Sequence, residues 1–187
     1  MNNLLLGCLC LTALNVHGFD ITEEYFGTVH DGVLTNTNYQ PAEFDRHPQR
    51  NGEKIIGFPA FYDEPDYSYF GQAFPEQGKW CGIFNVKNGP YETCDGFRVL
   101  VNVPGNEFNL RNPDNMKPDD EKVYFRGVAL VLVRDPNASG DTIFGTYVEE
   151  PQVLQYVAYN GQAEQYSGDD ASTGDRILLV VKSVTAK

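Results

Sequence analysis

The stretch VYFRGVALVLVRDPNASGDTIFGTY, residues 123–147, decides the fold. Over residues 123–133 it is apolar on both alternating faces apart from Arg126, the pattern of a central strand covered on both sides. Val128, Leu130 and Leu132 should face one side and Ala129, Val131 and Val133 the other. Arg126 then requires a carboxylate or an exit to the surface. Gly127 inside the run reads as a bulge or a close approach of backbone. The segment DPNASGD that follows is a turn, and residues 143–148 form the next strand.

Working outward, residues 97–103 (FRVLVNV) form a strand that ends at Pro104-Gly105. Residues 153–159 and 177–184 are two more, set off by EEP and by the polar NGQAEQYSGDDASTGD. Gly (18) and Pro (11) are scattered between short runs of Val, Ile, Phe and Tyr, with no sustained helical spacing and no internal repeat. This predicts an all-β protein, an antiparallel β-sandwich of immunoglobulin-like, Greek-key type, with its core in residues 81–187. Residues 19–80 are expected to be an irregular, aromatic- and acid-rich segment packed on that sandwich. Within it, residues 21–34 carry one or two peripheral strands and residues 39–53 a polar loop. In residues 58–80 eight aromatics are interleaved with Pro, Gly and acids. Tyr62, Tyr67, Tyr69 and Trp80 are candidate ligand-binding residues for a sugar or a protein, because rings give contact area at low entropic cost. The preferred reading is that these rings cover an open face of the sandwich.

Residues 1–18, MNNLLLGCLCLTALNVHG, have the short apolar core and small-residue exit of a signal peptide, although no Lys or Arg precedes the core. No stretch approaches the roughly 20 apolar residues of a membrane span. The expected location is secreted and extracellular. The net charge of −12 argues against nucleic acid and anionic membranes as partners, both of which need a positive surface. Cys8 and Cys10 would leave with the leader, so Cys81 and Cys94 should form one disulfide.

Phe125-Arg126-Gly127-Val128, then Gly145-Thr146-Tyr147, with Gln152-Val153-Leu154 beyond, resemble in order and spacing the strand, turn and apolar segment of Reeler domains. These are extracellular β-sandwich modules of reelin and of insect defence proteins. The likeness covers residues 89–187, and Tyr156 stands near where the family has a cysteine. It implies an extracellular recognition or adhesion module without catalytic residues.

Catalysis is not expected. A Ser-His-acid or Cys-His set needs a base beside the nucleophile, and beyond residue 18 the chain offers only His30 and His47. A copper-binding N-terminal histidine would require cleavage before His17, after an unsuitable Val16. No G-x-S-x-G, H-E-x-x-H or phosphate-binding glycine loop occurs. Glu149-Glu150, Asp63-Glu64 and Asp119-Asp120 are read as solvated loop acids rather than a glycosidase pair. Asp135, Asn137, Ser139 and Asp141 alternate oxygen ligands as in the first half of a calcium loop, and residues 167–175 are similarly oxygen-rich. Ordinary turns explain both. Asn137 also heads the sequon Asn137-Ala138-Ser139 and is the candidate glycosylation site. The expectation is a secreted, non-enzymatic binding, adhesion, extracellular-matrix or defence module, with an extracellular protein or glycan as partner and no required cofactor. An acidic calcium- or mineral-binding matrix protein and a carbohydrate-binding or carbohydrate-active protein are the alternatives.

Overall fold

The computed structural model describes residues 19–20, 23–44, 46–138, 140–172 and 176–184. The signal-peptide reading of residues 1–18 and the candidate ligand Ser139 lie outside them. In chain order the strands are β1 (Phe19–Asp20), β2 (Phe26–His30), β3 (Val33–Thr35), β4 (Gln49–Arg50), β5 (Glu53–Lys54) and β6 (Phe58–Asp63). They continue as β7 (Ser68–Glu76), β8 (Lys79–Val86), β9 (Gly89–Thr93), β10 (Phe97–Leu100), β11 (Asn106–Arg111) and β12 (Glu121–Phe125). The last are β13 (Val128–Arg134), β14 (Thr142–Val148), β15 (Val153–Val157), β16 (Ala163–Ser167) and β17 (Ile177–Val184).

Two antiparallel sheets face each other, as the sandwich reading requires. One runs β3-β2-β10-β6-β7-β8-β9; the other runs β1-β12-β17-β13-β14-β15-β16, with β11 on β17 and the β4–β5 ribbon on β14. β10 returns to lie between β2 and β6, and β17 wedges between β12 and β13. These two returns are the Greek-key crossovers. The central core joins Phe61, Phe70 and Leu100 of the first sheet to Leu130, Leu132, Phe144 and Val180 of the second. Ala129, Val131 and Val133 point the other way, into a second cluster with Leu154, Tyr156 and Leu179. The alternation read in residues 128–133 is therefore present, and it explains why both faces of β13 are apolar. A third cluster, with Val29, Ala60, Tyr69, Phe84 and Phe97, covers the far face of the first sheet.

Polar side chains stitch the sheets together. Thr146 Oγ1 accepts from the Phe70 N–H at 2.8 Å and donates to its carbonyl at 3.1 Å. Gln72, fully buried, accepts from the Phe144 N–H at 3.2 Å and donates to the Tyr159 hydroxyl at 3.2 Å. Gln72→Leu keeps the volume but leaves the Phe144 N–H without an acceptor, so a loss of about 2 kcal/mol is expected. Urea denaturation checks this; a midpoint equal to that of the wild type would show that the amide finds no use for the bond.

Three sequence expectations are corrected. Residues 123–133 are not one strand with a bulge: Arg126 (φ +47°) and Gly127 (φ +81°) form a tight hairpin turn between β12 and β13. Such a turn needs positive φ at both central residues, and an Arg at the first hides the signal that Asn or Asp would give. Arg126 does find its carboxylate, donating to Asp63 Oδ1 at 3.1 Å.

Residues 19–80 are not an irregular cover either. β6 and β7 are inner strands of the first sheet, and Phe61 and Phe70 are central core. Pro59 and Pro75 made this segment read as broken. Pro59 lies past the end of the β10 pairing, which engages only Ala60 and Phe61, so its missing N–H costs no ladder bond there. Third, the polar stretch NGQAEQYSGDDASTGD is more than a separator, because it holds the edge strand β16; β8, β9 and β11 are further strands, and β9, β11 and β16 carry too few apolar residues to betray them.

Candidate functional site: a cationic mouth at the sandwich end

The four candidate aromatics do not share a surface. Tyr69 is buried, its hydroxyl donating to Glu64 at 3.3 Å and accepting from the Lys87 N–H at 3.2 Å. Tyr62 is half-buried against Phe84 and Tyr91, and Trp80 against Phe58. Tyr67 alone of the four is exposed, with the Lys87 ammonium 5.4 Å from its ring centre.

The DPNASGD segment is a loop closed on itself. Asp135 Oδ1 accepts from the Asn137 N–H at 2.8 Å and from the buried Tyr156 hydroxyl at 3.2 Å, and Asp141 Oδ1 accepts from the Asn51 N–H. Both carboxylates thus serve protein donors. Asn137 is exposed, with its side-chain amide 3.1 Å from the Tyr166 hydroxyl. The paired acids are dispersed rather than gathered: Asp63 holds Arg126, Asp120 holds Arg111 and Glu149 holds Lys122.

Cys81 and Cys94 are disulfide-bonded across the β8–β9 hairpin. Next to this bridge, His30, Asp31 and Asp95 bring one ligand atom each within 4.8 Å of the others on the surface. His30 Nδ1 lies 2.8 Å from Asp95 Oδ1, which also accepts from the Asp31 N–H at 2.9 Å. That hydrogen bond, with the Asp31 charge behind it, raises the imidazole above its ordinary value near 6.5. The Asp31 N–H, then His30, lower Asp95. The pair is complete between the two titrations: it weakens as pH falls through the depressed Asp95 value and as pH rises through the elevated His30 value. Proton NMR should place the His30 midpoint above 6.5, and Asp95→Asn should return it toward that value. An unchanged midpoint in the variant would dissolve the pair.

A cavity of about 720 Å³ forms the open mouth of the central core beside the β4–β5 ribbon. Its construction follows from local sequence. Leu130 and Leu132 face inward, and the same alternation places Arg134 at the rim. Opposite it stands Arg176, whose carbonyl accepts from the Arg134 N–H at 2.8 Å. Residues 46–54 form a strap over the mouth. Asn51-Gly52, at φ +53° and +78°, makes the tight turn of the ribbon. Thr142 Oγ1 pins the ribbon by accepting from the Gln49 N–H at 3.0 Å and donating to the His47 carbonyl at 3.3 Å.

This construction concentrates positive charge. Arg46, Lys54, Arg111, Arg134 and Arg176 line the cavity, with His47 among them, and no Asp or Glu does among the described residues. Five of the 14 Lys and Arg of a chain with net charge −12 thus converge on one opening. Arg111 is partly neutralised by Asp120 at 3.2 Å. Arg176 turns its guanidinium onto the Tyr166 ring, 4.6 Å away, and donates to the Asp170 carbonyl. Arg46, Lys54 and Arg134 make no ion pair among the described residues and are exposed. Like charges facing each other across neighbouring strands repel, and a concave site lined by one sign of charge focuses its field. The site is therefore disposed to hold an anion. Spacing along the chain does not show it, because its cations are scattered from residue 46 to residue 176; residues 39–53, expected to be a polar loop, instead hold the β4–β5 ribbon, whose Asn51-Gly52 turn pair is the one local signal of the site.

No family model matches the chain, and no curated protein does. Among solved structures, the nematode sperm cell motility protein MFP2B is similar at a TM-score of 0.66 and 13% identity, over 86% of this chain and 45% of that one. The chain spans less than half the length of that protein. At such identity the likeness carries the fold, a β-sandwich, and nothing of the site.

Proposed function

We propose that the protein is a secreted, non-catalytic recognition module of the extracellular space, serving adhesion, matrix or defence, and that it takes an anionic group of its ligand in the cationic mouth. The convergence of Arg46, Lys54 and Arg134 on one cavity of an acidic protein carries this reading. The Cys81–Cys94 disulfide supports an oxidising compartment, and the resemblance of residues 125–128 and 145–147 to Reeler modules supports the same class of protein. The overall charge narrows the ligand. A polyanion such as nucleic acid would meet the acidic surface around the mouth, whereas a small anion can lie within the local positive field, over a Debye length of about 8 Å at physiological salt.

Titration with inorganic phosphate, followed by NMR, tests the reading. Saturable shifts are expected at Gln49, Arg134 and Thr142, weakening as salt is raised, and they should vanish in the Lys54→Glu/Arg134→Glu variant. Absence of saturable shifts around the mouth would remove the proposal.

A further inference from the structure

The cations stand over apolar side chains, and that combination specifies more than charge. Leu132 and Leu178, at the edge of the central core, and Leu110 form the apolar part of the cavity wall. A second cavity of about 340 Å³ adjoins it; its wall is mostly apolar, with Phe44, Pro48, Ile55, Ile56 and Phe58, and Glu43 is the one acid that lines it among the described residues. Arg46, His47 and Lys54 belong to both. Ile56 is 66% exposed, a large aliphatic side chain left in water beside three nitrogen-bearing ones. Scattered exposed apolar residues need no explanation, but one that continues a cavity does.

Resting on the anion-site reading above, we propose that the ligand is a single-tailed amphiphile: an anionic head, carboxylate or phosphate, seated among Arg46, Lys54 and Arg134, with an alkyl chain running over Ile55, Ile56 and Phe58. The two cavities have the size of ordinary small-molecule sites, which are mostly apolar with a few placed polar groups that fix orientation. Guanidinium groups bind either head in bidentate fashion, so the head sets orientation and the tail supplies affinity. The acidic exterior disfavours a flat anionic bilayer as the source, which leaves the free, monomeric amphiphile.

The test is calorimetric titration of the folded protein with acetate, hexanoate, decanoate and decyl phosphate, each below its micelle concentration. Affinity is expected to rise between about twofold and fourfold per added methylene, the upper figure corresponding to full burial. Comparing decanoate with decyl phosphate tells which head the site prefers; growth with tail length in either series supports the proposal. Ile56→Asp and Arg134→Glu should each weaken decanoate by about tenfold or more. Both positions are exposed, so circular dichroism should show both variants folded. If acetate and inorganic phosphate bind at the mouth but affinity is flat with tail length, the amphiphile is overturned while the anion site stands. If neither small anion binds, both fall together. Sedimentation of the protein with decanoate-loaded phosphatidylcholine vesicles, without extraction of decanoate, would overturn it in favour of membrane-surface binding.

Discussion

Phe61→Ala should lower the free energy of unfolding by about 3–5 kcal/mol, the usual cost of emptying a fully buried aromatic site. Phe61 is inaccessible to solvent and is the hub of the aromatic cluster: its ring centre lies 5.7 Å from Phe26, 5.4 Å from Phe70 and 4.6 Å from Phe125. Those partners come from three strands of two sheets, so no single shift can close the cavity. Loss of edge-to-face geometry with Phe125 adds to the lost burial. Urea denaturation gives the answer directly. A cost under about 1 kcal/mol would mean that the sheets slide together to fill the space, and that the core between them is looser than its burial implies.

Replacing both cysteines by serine should cost about 3 kcal/mol, since Cys81 and Cys94, 13 residues apart, close a short loop in the unfolded chain. For a chain of this length that corresponds to a fall in Tm of about 6–12 °C. The effect should be concentrated in the hairpin. Trp80 precedes Cys81, packs its ring on Phe58 at 5.3 Å and donates its backbone N–H to the Gly32 carbonyl at 2.8 Å. Gly32 in turn donates to the Cys94 carbonyl at 2.6 Å. Loosening the hairpin therefore releases the turn that carries His30 and Asp31, and the raised His30 titration should relax in the same variant. A stability loss with His30 unmoved would show that the turn holds without the bridge.

The anion site changes how the acidity of the chain is understood. A charge of −12 argues for basic partners, cations or simple solubility when averaged over the surface. The fold does not average: it places Arg46, Lys54 and Arg134 at one opening and disperses Asp63, Asp120 and Glu149 as partners of Arg126, Arg111 and Lys122 elsewhere. Burial alone would raise the Asp120 and Glu149 carboxyls. The Lys117 N–H, Ser183 and Arg111 hold Asp120 below the ordinary carboxylate range, and Lys122 and Tyr124 do the same for Glu149.

By itself the sequence determined the sandwich class, the disulfide pair and the inward and outward faces of residues 128–133. Each of these is a local property: period-two alternation, two thiols in one segment, and turn residues between apolar runs. Residues 177–184 carried their strand in the same way. What lay outside its reach depended on partners distant along the chain. Phe58–Asp63 and Ser68–Glu76 read as irregular because Pro and Gly punctuate them, yet pairing on both sides makes them inner strands. Arg126-Gly127 became a turn because β17 and β14 claim β13 as a separate strand. The cationic mouth was decided only by the tertiary fold, which brings residues 46, 54 and 134 from a ribbon and a strand end to one cavity, and no spacing rule records a charge concentration assembled across so much chain.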